Sequence, residues 1–348
     1  MSKLKYLLFF LSFHSVYSQT SFNYINGFPA IFDSINNITY SFDTAAPTFV
    51  STEKKIGDKT LGFMLIKDIN NKKQFRGKQK LDLNLFGFGP LKTKALTIGK
   101  MKDCLDIDVF LGIDALDEKI LFFNFEKQEF KVLEDLSLFD DKDYIEIPLT
   151  FDSFNYRYKI KASLAGEKIN FLLDLGFSAE ILIKNKIVNY NNSIDYVDIT
   201  YFGANGSNVK TIEFLKDIEL IFFNNNLLTN DIRYSSSANH NLIGIGFFKK
   251  FQKVIFDFRK SKIYISKNKI DFKIKDEGIY FDVNDSKIMI STINHNSLLY
   301  KNGYRAGDFV YLNDKILERD ILNSPCDVNK LIKIWKSENP TKSLFELN

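Results

Sequence analysis

One set of landmarks occurs twice in this chain, in the same order and at nearly the same spacing. The apolar strand Ile38-Thr39-Tyr40-Ser41-Phe42 ends on Asp43, and 69 positions later Phe110-Leu111 meets Gly112. Ile169-Asn170-Phe171-Leu172-Leu173 ends on Asp174, and 70 positions later Leu242-Ile243 meets Gly244. A short apolar turn and a hairpin follow each glycine, so that Asn124-Phe125-Glu126-Lys127 aligns with Asp257-Phe258-Arg259-Lys260. A repeat of this length means two copies of one β unit. Such a chain is expected to fold as two lobes about an approximate two-fold axis, which brings Asp43 and Asp174 together.

The texture around these landmarks is that of strands. From Ser21 to about Lys131, short alternating or apolar runs (Ile38–Phe42, Thr60–Ile66, Lys80–Phe86, Lys94–Ile98) are broken by Asn, Asp, Gly and Lys, with no sustained 3.6-residue period. Tyr144 to Lys269 repeats this texture. Around Asp174, the stretch Ile169–Ile183 predicts a strand, a tight turn at Gly176 and a second strand leaving from Glu180. Past Ile270 the pattern changes. Lys287–Ile293 is a strand, and Cys326–Trp335 places Val328, Leu331, Ile332 and Trp335 on one helix face, entered through a polar segment from Asp320 to Pro325. The expected organisation is a leader over 1–18, a first lobe over 19–143, a second lobe over 144–270 and a small α+β domain over 271–348.

The leader rests on Lys3 and Lys5 before the apolar run Tyr6–Phe13 and on Val16-Tyr17-Ser18, the pattern of a secretory signal cut after Ser18. That run is too short to span a bilayer, and no later stretch reaches the roughly 20 apolar residues a spanning helix needs. The mature chain is therefore expected to be exported, periplasmic or secreted, with no transmembrane segment. Loss of the two lysines lowers the formal charge from +4 to +2, too balanced to argue for nucleic acid. Cys104 and Cys326 make no disulfide framework. His240 and His295 read as ordinary loop or strand positions. Neither lies in a zinc-binding pattern, and no Gly-x-Ser-x-Gly elbow is present, so neither a metal site nor a serine nucleophile is expected. No cofactor is expected either.

Carboxylates remain. An Asp at the end of a buried strand must be paired, hydrogen-bonded or shifted in pKa. For one isolated Asp, a turn cap is the simpler reading; a second in the equivalent place supplies a partner. Two carboxylates a few ångströms apart share one proton and titrate as a unit. One can take a proton from water while the other donates to a carbonyl oxygen, which hydrolyses an amide without metal or covalent intermediate.

These residues resemble the aspartic peptidases of the pepsin and retropepsin type, the second lobe most of all the bacterial retropepsin-like branch. Phe42-Asp43-Thr44-Ala45-Ala46 with Phe110-Leu111-Gly112 carries the likeness in the first lobe. Leu173-Asp174-Leu175-Gly176-Phe177-Ser178 with Leu242-Ile243-Gly244 carries it in the second. The resemblance implies a mainly β fold of two acid-protease-like barrels. It implies Asp43 and Asp174 as the catalytic dyad, supported by Thr44, Ala45, Gly176, Gly112 and Gly244. It implies a flap at Tyr201-Phe202-Gly203-Ala204-Asn205-Gly206 and, more loosely, at Lys67–Gly77. The substrate would be a polypeptide in extended conformation, and one chain carrying both aspartates would act as a monomer. The sequence departs from the family at three places. Leu175 cannot make the hydroxyl bond that Thr44 can, Ala45 stands where the family has glycine, and Phe177 replaces a small residue. A peptide-binding module with weak or no catalysis is the competing expectation.

The run Asn296-Ser297-Leu298-Leu299-Tyr300-Lys301-Asn302-Gly303-Tyr304-Arg305-Ala306-Gly307-Asp308, followed by Phe309-Val310, resembles a PDZ domain of exported bacterial proteases. The resemblance implies that Gly278, Ile279, Tyr280 and Phe281 receive a peptide C-terminus, with the peptide added as a strand. The alternative is a domain that only packs on the lobes.

Overall fold

The computed structural model describes residues 20–344 except 26, 52–55, 57–59, 68–72, 99–106, 138, 186–193, 204–205, 216–217, 223–224, 230–231, 237, 271–278, 285, 324–327 and 340. The leader, Cys104, Cys326 and Gly278 lie outside the described residues. No helix among the described residues is long and apolar enough to cross a membrane.

The fold is mainly β. The first lobe contains β1 (Thr20–Ser21), β2 (Asn23–Ile25), β3 (Phe28–Asp33), β4 (Ile38–Asp43), β5 (Phe49–Ser51) and β6 (Thr60–Lys67). It continues through β7 (Lys73–Leu85), β8 (Gly89–Ile98), β9 (Val109–Gly112), the single turn α1 (Ile113–Leu116), β10 (Ile120–Asn124) and β11 (Glu129–Leu133). The second lobe contains β12 (Tyr144–Asp152), β13 (Arg157–Leu164), β14 (Glu167–Asp174), β15 (Ile181–Ile183), β16 (Ile194–Gly203) and β17 (Gly206–Leu215). It continues through β18 (Ile218–Phe222), β19 (Asn225–Thr229), β20 (Ile232–Tyr234), β21 (Leu242–Gly244), α2 (Ile245–Phe248), β22 (Lys253–Asp257) and β23 (Lys262–Ser266).

The repeat in sequence is a repeat in register. β4 pairs in parallel with β9, opposing Asp43 to Gly112; β14 pairs in parallel with β21, opposing Asp174 to Gly244. On the far side of each glycine strand lies an antiparallel neighbour, β5 in one lobe and β15 in the other. Being central, β9 and β21 are buried along their whole length, which explains their unbroken apolar runs. β13 instead alternates between buried and more exposed positions, as its sequence does.

One sheet crosses between the lobes in the order β1-β11-β10-β22-β23-β12, antiparallel throughout. Its middle pair opposes Phe122 to Ile255, and the flanking pairs Ile120–Asp257 and Asn124–Lys253 exchange places about that point. The approximate two-fold axis therefore passes through the β10–β22 pair. The two outer hairpins turn at equivalent places through left-handed residues, Gln128 at φ 54° and Ser261 at φ 53°. Rings pack densely around the axis. Phe123 meets Phe42 at 5.4 Å, Phe130 at 5.1 Å and, across the lobes, Phe256 at 5.9 Å. A single buried cluster runs through both lobes.

The C-terminal region has its own buried cluster, including Phe281, Ile290, Ile321, Ile332 and Trp335. It comprises β24 (Ile279–Asn284), β25 (Lys287–Asn294), α3 (Leu298–Lys301), β26 (Phe309–Val310), α4 (Lys315–Asn323) and α5 (Val328–Glu338). The polar segment from Asp320 to Pro325 is helical as far as Asn323, where α4 ends. Asp314 accepts from the backbone N–H groups of Ile316 and Leu317 at the start of α4, and Leu317 and Ile321 bury one face. β25 also pairs with β16, opposing Val197 to Asn294 and Ile199 to Thr292, so the C-terminal unit continues a sheet of the second lobe.

Candidate active site

Each aspartate is presented by the loop that leaves a buried strand, and the two loops pack on one another. Asp43 Oδ1 accepts from Ala45 N at 2.9 Å. Gly176, from the other lobe, lies directly against that carboxylate: a Cβ there would stand 2.5 Å from Asp43 Cγ and 2.6 Å from Oδ2. Only glycine permits this approach. The buried Thr44 hydroxyl crosses between the lobes, donating to Leu173 O at 2.7 Å and accepting from Leu175 N at 3.0 Å. Its counterpart Leu175 is buried in the main apolar cluster and makes no return bond. Ala45 packs with Leu172, Phe177, Ala179, Leu182 and Leu242, so the first-lobe loop is also held by apolar contact.

Behind the loops the glycine strands pass too close for side chains. A Cβ at Gly112 would lie 2.1 Å from Pro47 C and Thr48 N, and one at Gly244 would lie 2.3 Å from the carbonyl oxygens of Phe177 and Ala179. Ile113 N donates to Ala46 O and Ile245 N to Phe177 O, equivalent bonds in the two lobes. Past this point the lobes diverge. Gly112 N donates to Thr48 Oγ1, whose own N–H and hydroxyl both bond Asp114 Oδ1. In the second lobe Gly244 N donates to Glu180 O, and the Glu180 carboxylate pairs with Lys250 at 2.6 Å. No local pattern marks Thr48, Asp114 or Lys250 in the sequence, and the repeat offset does not pair them: at 131 and 132 positions Thr48 aligns with Ala179 and Asp114 with Gly246.

The two carboxyls differ electrostatically. Burial pushes Asp43 up to about 6, against the pull of the Ala45 and Ala46 N–H groups and the Arg157 charge. Burial and then the Asp43 charge push Asp174 well above the usual carboxylate range, while the Gly176 N–H and Arg157 act in the opposite direction. Asp174 Oδ1 is buried and has no hydrogen-bond partner among the described residues. Burial therefore holds both carboxyls towards their neutral forms, and the two titrate as a unit.

The predicted site residues thus fall into three places. Asp43, Asp174, Thr44, Ala45 and Gly176 meet at the interlobe contact, with Gly112 and Gly244 behind them. Tyr201 and Gly203 end β16 and Gly206 starts β17, Gly203 opposing Gly206 at the end of that hairpin. The β6–β7 hairpin of the first lobe, which includes the ends of the Lys67–Gly77 stretch, exposes Phe63, Leu65 and Phe75 on one face. Ile279, Tyr280 and Phe281 lie on β24 of the C-terminal unit. There the Asn329 carboxamide of α5 accepts from Phe281 N and donates to Phe281 O, both at 2.8 Å, occupying the backbone groups an added strand would use. A groove of about 540 Å³ elsewhere, lined by first-lobe residues such as Phe86, Phe88 and Lys131 and by Arg259 of the second lobe, contains neither aspartate. Among the described residues no three His, Cys, Asp or Glu side chains gather as a metal-binding group.

No family model and no curated protein matches this sequence. Among solved structures, the chain is similar to basic 7S globulin from soybean at 9% identity, over 72% of this chain and 94% of that one, with a TM-score of 0.41. It is also similar to a retropepsin-like aspartic protease from Rickettsia conorii at 16% identity, over 35% of this chain and 89% of that one, with a TM-score of 0.25.

Proposed function

We propose that the protein is an aspartic-type endopeptidase whose dyad is Asp43 and Asp174. The observation that carries this reading is the meeting of two topologically equivalent aspartates, with Gly176 seated against one carboxylate and Thr44 tying the loops together. A substrate carbonyl would receive a proton from Asp174 while the Asp43 carboxylate takes one from the attacking water, giving a tetrahedral diol. Return of the protons to the amine and the dyad completes hydrolysis. The substrate is an extended polypeptide covered by the β6–β7 and β16–β17 hairpins, and the working unit is a monomer exported by its leader. The C-terminal unit is a PDZ-like domain that takes peptide C-termini on β24, which requires Asn329 to give way to the incoming strand.

The test is cleavage of a mixed peptide library from pH 3 to 8 by wild type and Asp174→Asn. Loss of a catalytic carboxylate lowers kcat/KM by about 10³-fold, with an unchanged circular dichroism spectrum. Undiminished cleavage by Asp174→Asn overturns the assignment.

A second reading, a binding module without turnover, is favoured by Ala45 in the place equivalent to Gly176 and by Leu175 opposite Thr44. Tight peptide binding by a wild type that cleaves nothing in the library would select it.

A further inference from the structure

Arg157 begins β13, and its surroundings differ from those of the other cations of that hairpin. The β13–β14 register opposes Lys159 to Leu172. Continued by two residues, it sets Arg157 opposite Asp174, with both side chains on the face of Leu172. That face is fixed from behind. Tyr156 and Tyr158 turn the other way, and both hydroxyls reach Asp117 of the first lobe, at 2.9 and 3.3 Å. On the dyad side, Lys159 is paired with Asp152 at 2.6 Å. Arg157 makes no ion pair among the described residues; its Nη1 meets His240 Nε2 at 3.3 Å. The half-buried Arg157 guanidinium nevertheless acts on both Asp43 and Asp174, drawing each towards its ionised form.

A guanidinium needs an anion of matching planar geometry. Here the register sets it across from Asp174, and among the described residues it meets an imidazole that accepts a single bond. We infer that Arg157 is a specificity-determining residue of the cleft, which binds a carboxylate of the substrate peptide on the second-lobe side of the dyad. The inference rests on the peptidase reading for its substrate class and on the β13–β14 register for its position. Two sources of that carboxylate are possible, an acidic side chain or the free C-terminus.

The experiment compares wild type, Arg157→Gln and Arg157→Lys on three peptide sets: neutral with an amidated end, neutral with a free C-terminal carboxylate, and amidated with Glu scanned through each position around the cleaved bond. Wild type is expected to favour one carboxylate-bearing set over the neutral set, which identifies the source. Arg157→Gln is expected to reduce kcat/KM on that set by about tenfold or more, while the neutral set changes by much less; Arg157→Lys restores part of the preference. An arginine that acted only on the charge of the dyad would change all sets alike. A ratio unchanged in Arg157→Gln therefore overturns the inference and leaves the peptidase reading standing. If wild type cleaves nothing, anisotropy of the same labelled peptides decides: acidic peptides bound preferentially, with the preference lost in Arg157→Gln, support the inference while the peptidase reading fails, and equal binding of all sets sinks it.

Discussion

Asp174 is a carboxyl held against its preferred state. Burial raises both carboxyls above the ordinary value of 3.8, Asp43 to about 6 and Asp174 well above that ordinary value, the Asp43 charge adding to the second. A carboxyl with a raised folded-state pKa contributes stability that is fully present below the unfolded value and is lost as pH rises through the folded one. The dyad thus destabilises the fold progressively from about pH 4 to above pH 6. Asp174→Asn removes that burden. It is expected to raise the melting temperature at pH 7.5 by a few degrees and to give no gain at pH 4; calorimetry at the two values checks both the sign and the pH window. On the proposed mechanism one carboxyl must be ionised, and burial pushes Asp43 up to about 6, so activity is expected to extend towards neutral pH, as a pH profile of kcat/KM would check. The aspartates and Thr44 were legible as residues because their neighbours are unusual: an acid closing an apolar strand, with a hydroxyl or glycine beside it. Arg157 was not. Its relation to Asp174 exists only in the register of two strands, and no local pattern announces which residue a neighbouring strand will place opposite.

At the scale of elements, the strands that hold the dyad are themselves held by rings. Phe42, one residue before Asp43, stands edge-on to Phe123 at 5.4 Å and interplanar 88°. Phe123 lies on β10, which pairs with the other lobe. Phe123→Ala is expected to cost about 3–5 kcal/mol, measured by denaturant unfolding, with loss of both lobes in one transition because a single buried cluster spans them. Most strands were legible from alternation and from the glycines that end them. Helix α4 was less so. Its buried positions, Leu317 and Ile321, are a single i, i+4 pair, with Ile316 exposed beside them, and its start depends on an Asp314 side chain that also accepts from Trp335 Nε1 at 2.8 Å. A cap shared with a residue of the next helix has no sequence period to betray it.

At the scale of the molecule, the C-terminal unit is joined to the β16–β17 hairpin both by strand pairing and by side chains. His295 Nε2 meets Asp198 Oδ1 at 2.9 Å, and the same carboxylate oxygen accepts from Thr211 on β17. The imidazole stacks on Tyr300 at 3.9 Å, and the Arg305 guanidinium lies over that same ring at 3.9 Å. Asp198→Ala is expected to speed hydrogen exchange of the amides from Val197 to Ile199 and from Thr292 to Asn294, by about tenfold for the loss of one such contact; the loop after Asp174 should exchange as in wild type. Neither histidine declared this role in the sequence, since the partner of His295 lies 97 positions upstream. The β10–β22 pair at the axis has a consequence of another kind, in the order of synthesis. Ile120 and Asp257 are neighbours in the sheet but stand 137 positions apart in the chain. At ordinary translation rates of about 5–20 residues per second, on the order of ten seconds pass between the appearance of one strand and that of its mate. For that interval the first lobe carries an open, apolar edge from Leu121 to Phe123, and an open edge invites pairing with whatever strand fits it. Because the native pairing is nearly symmetric about Phe122 and Ile255, the strand best shaped to stand in is β10 of a second nascent chain.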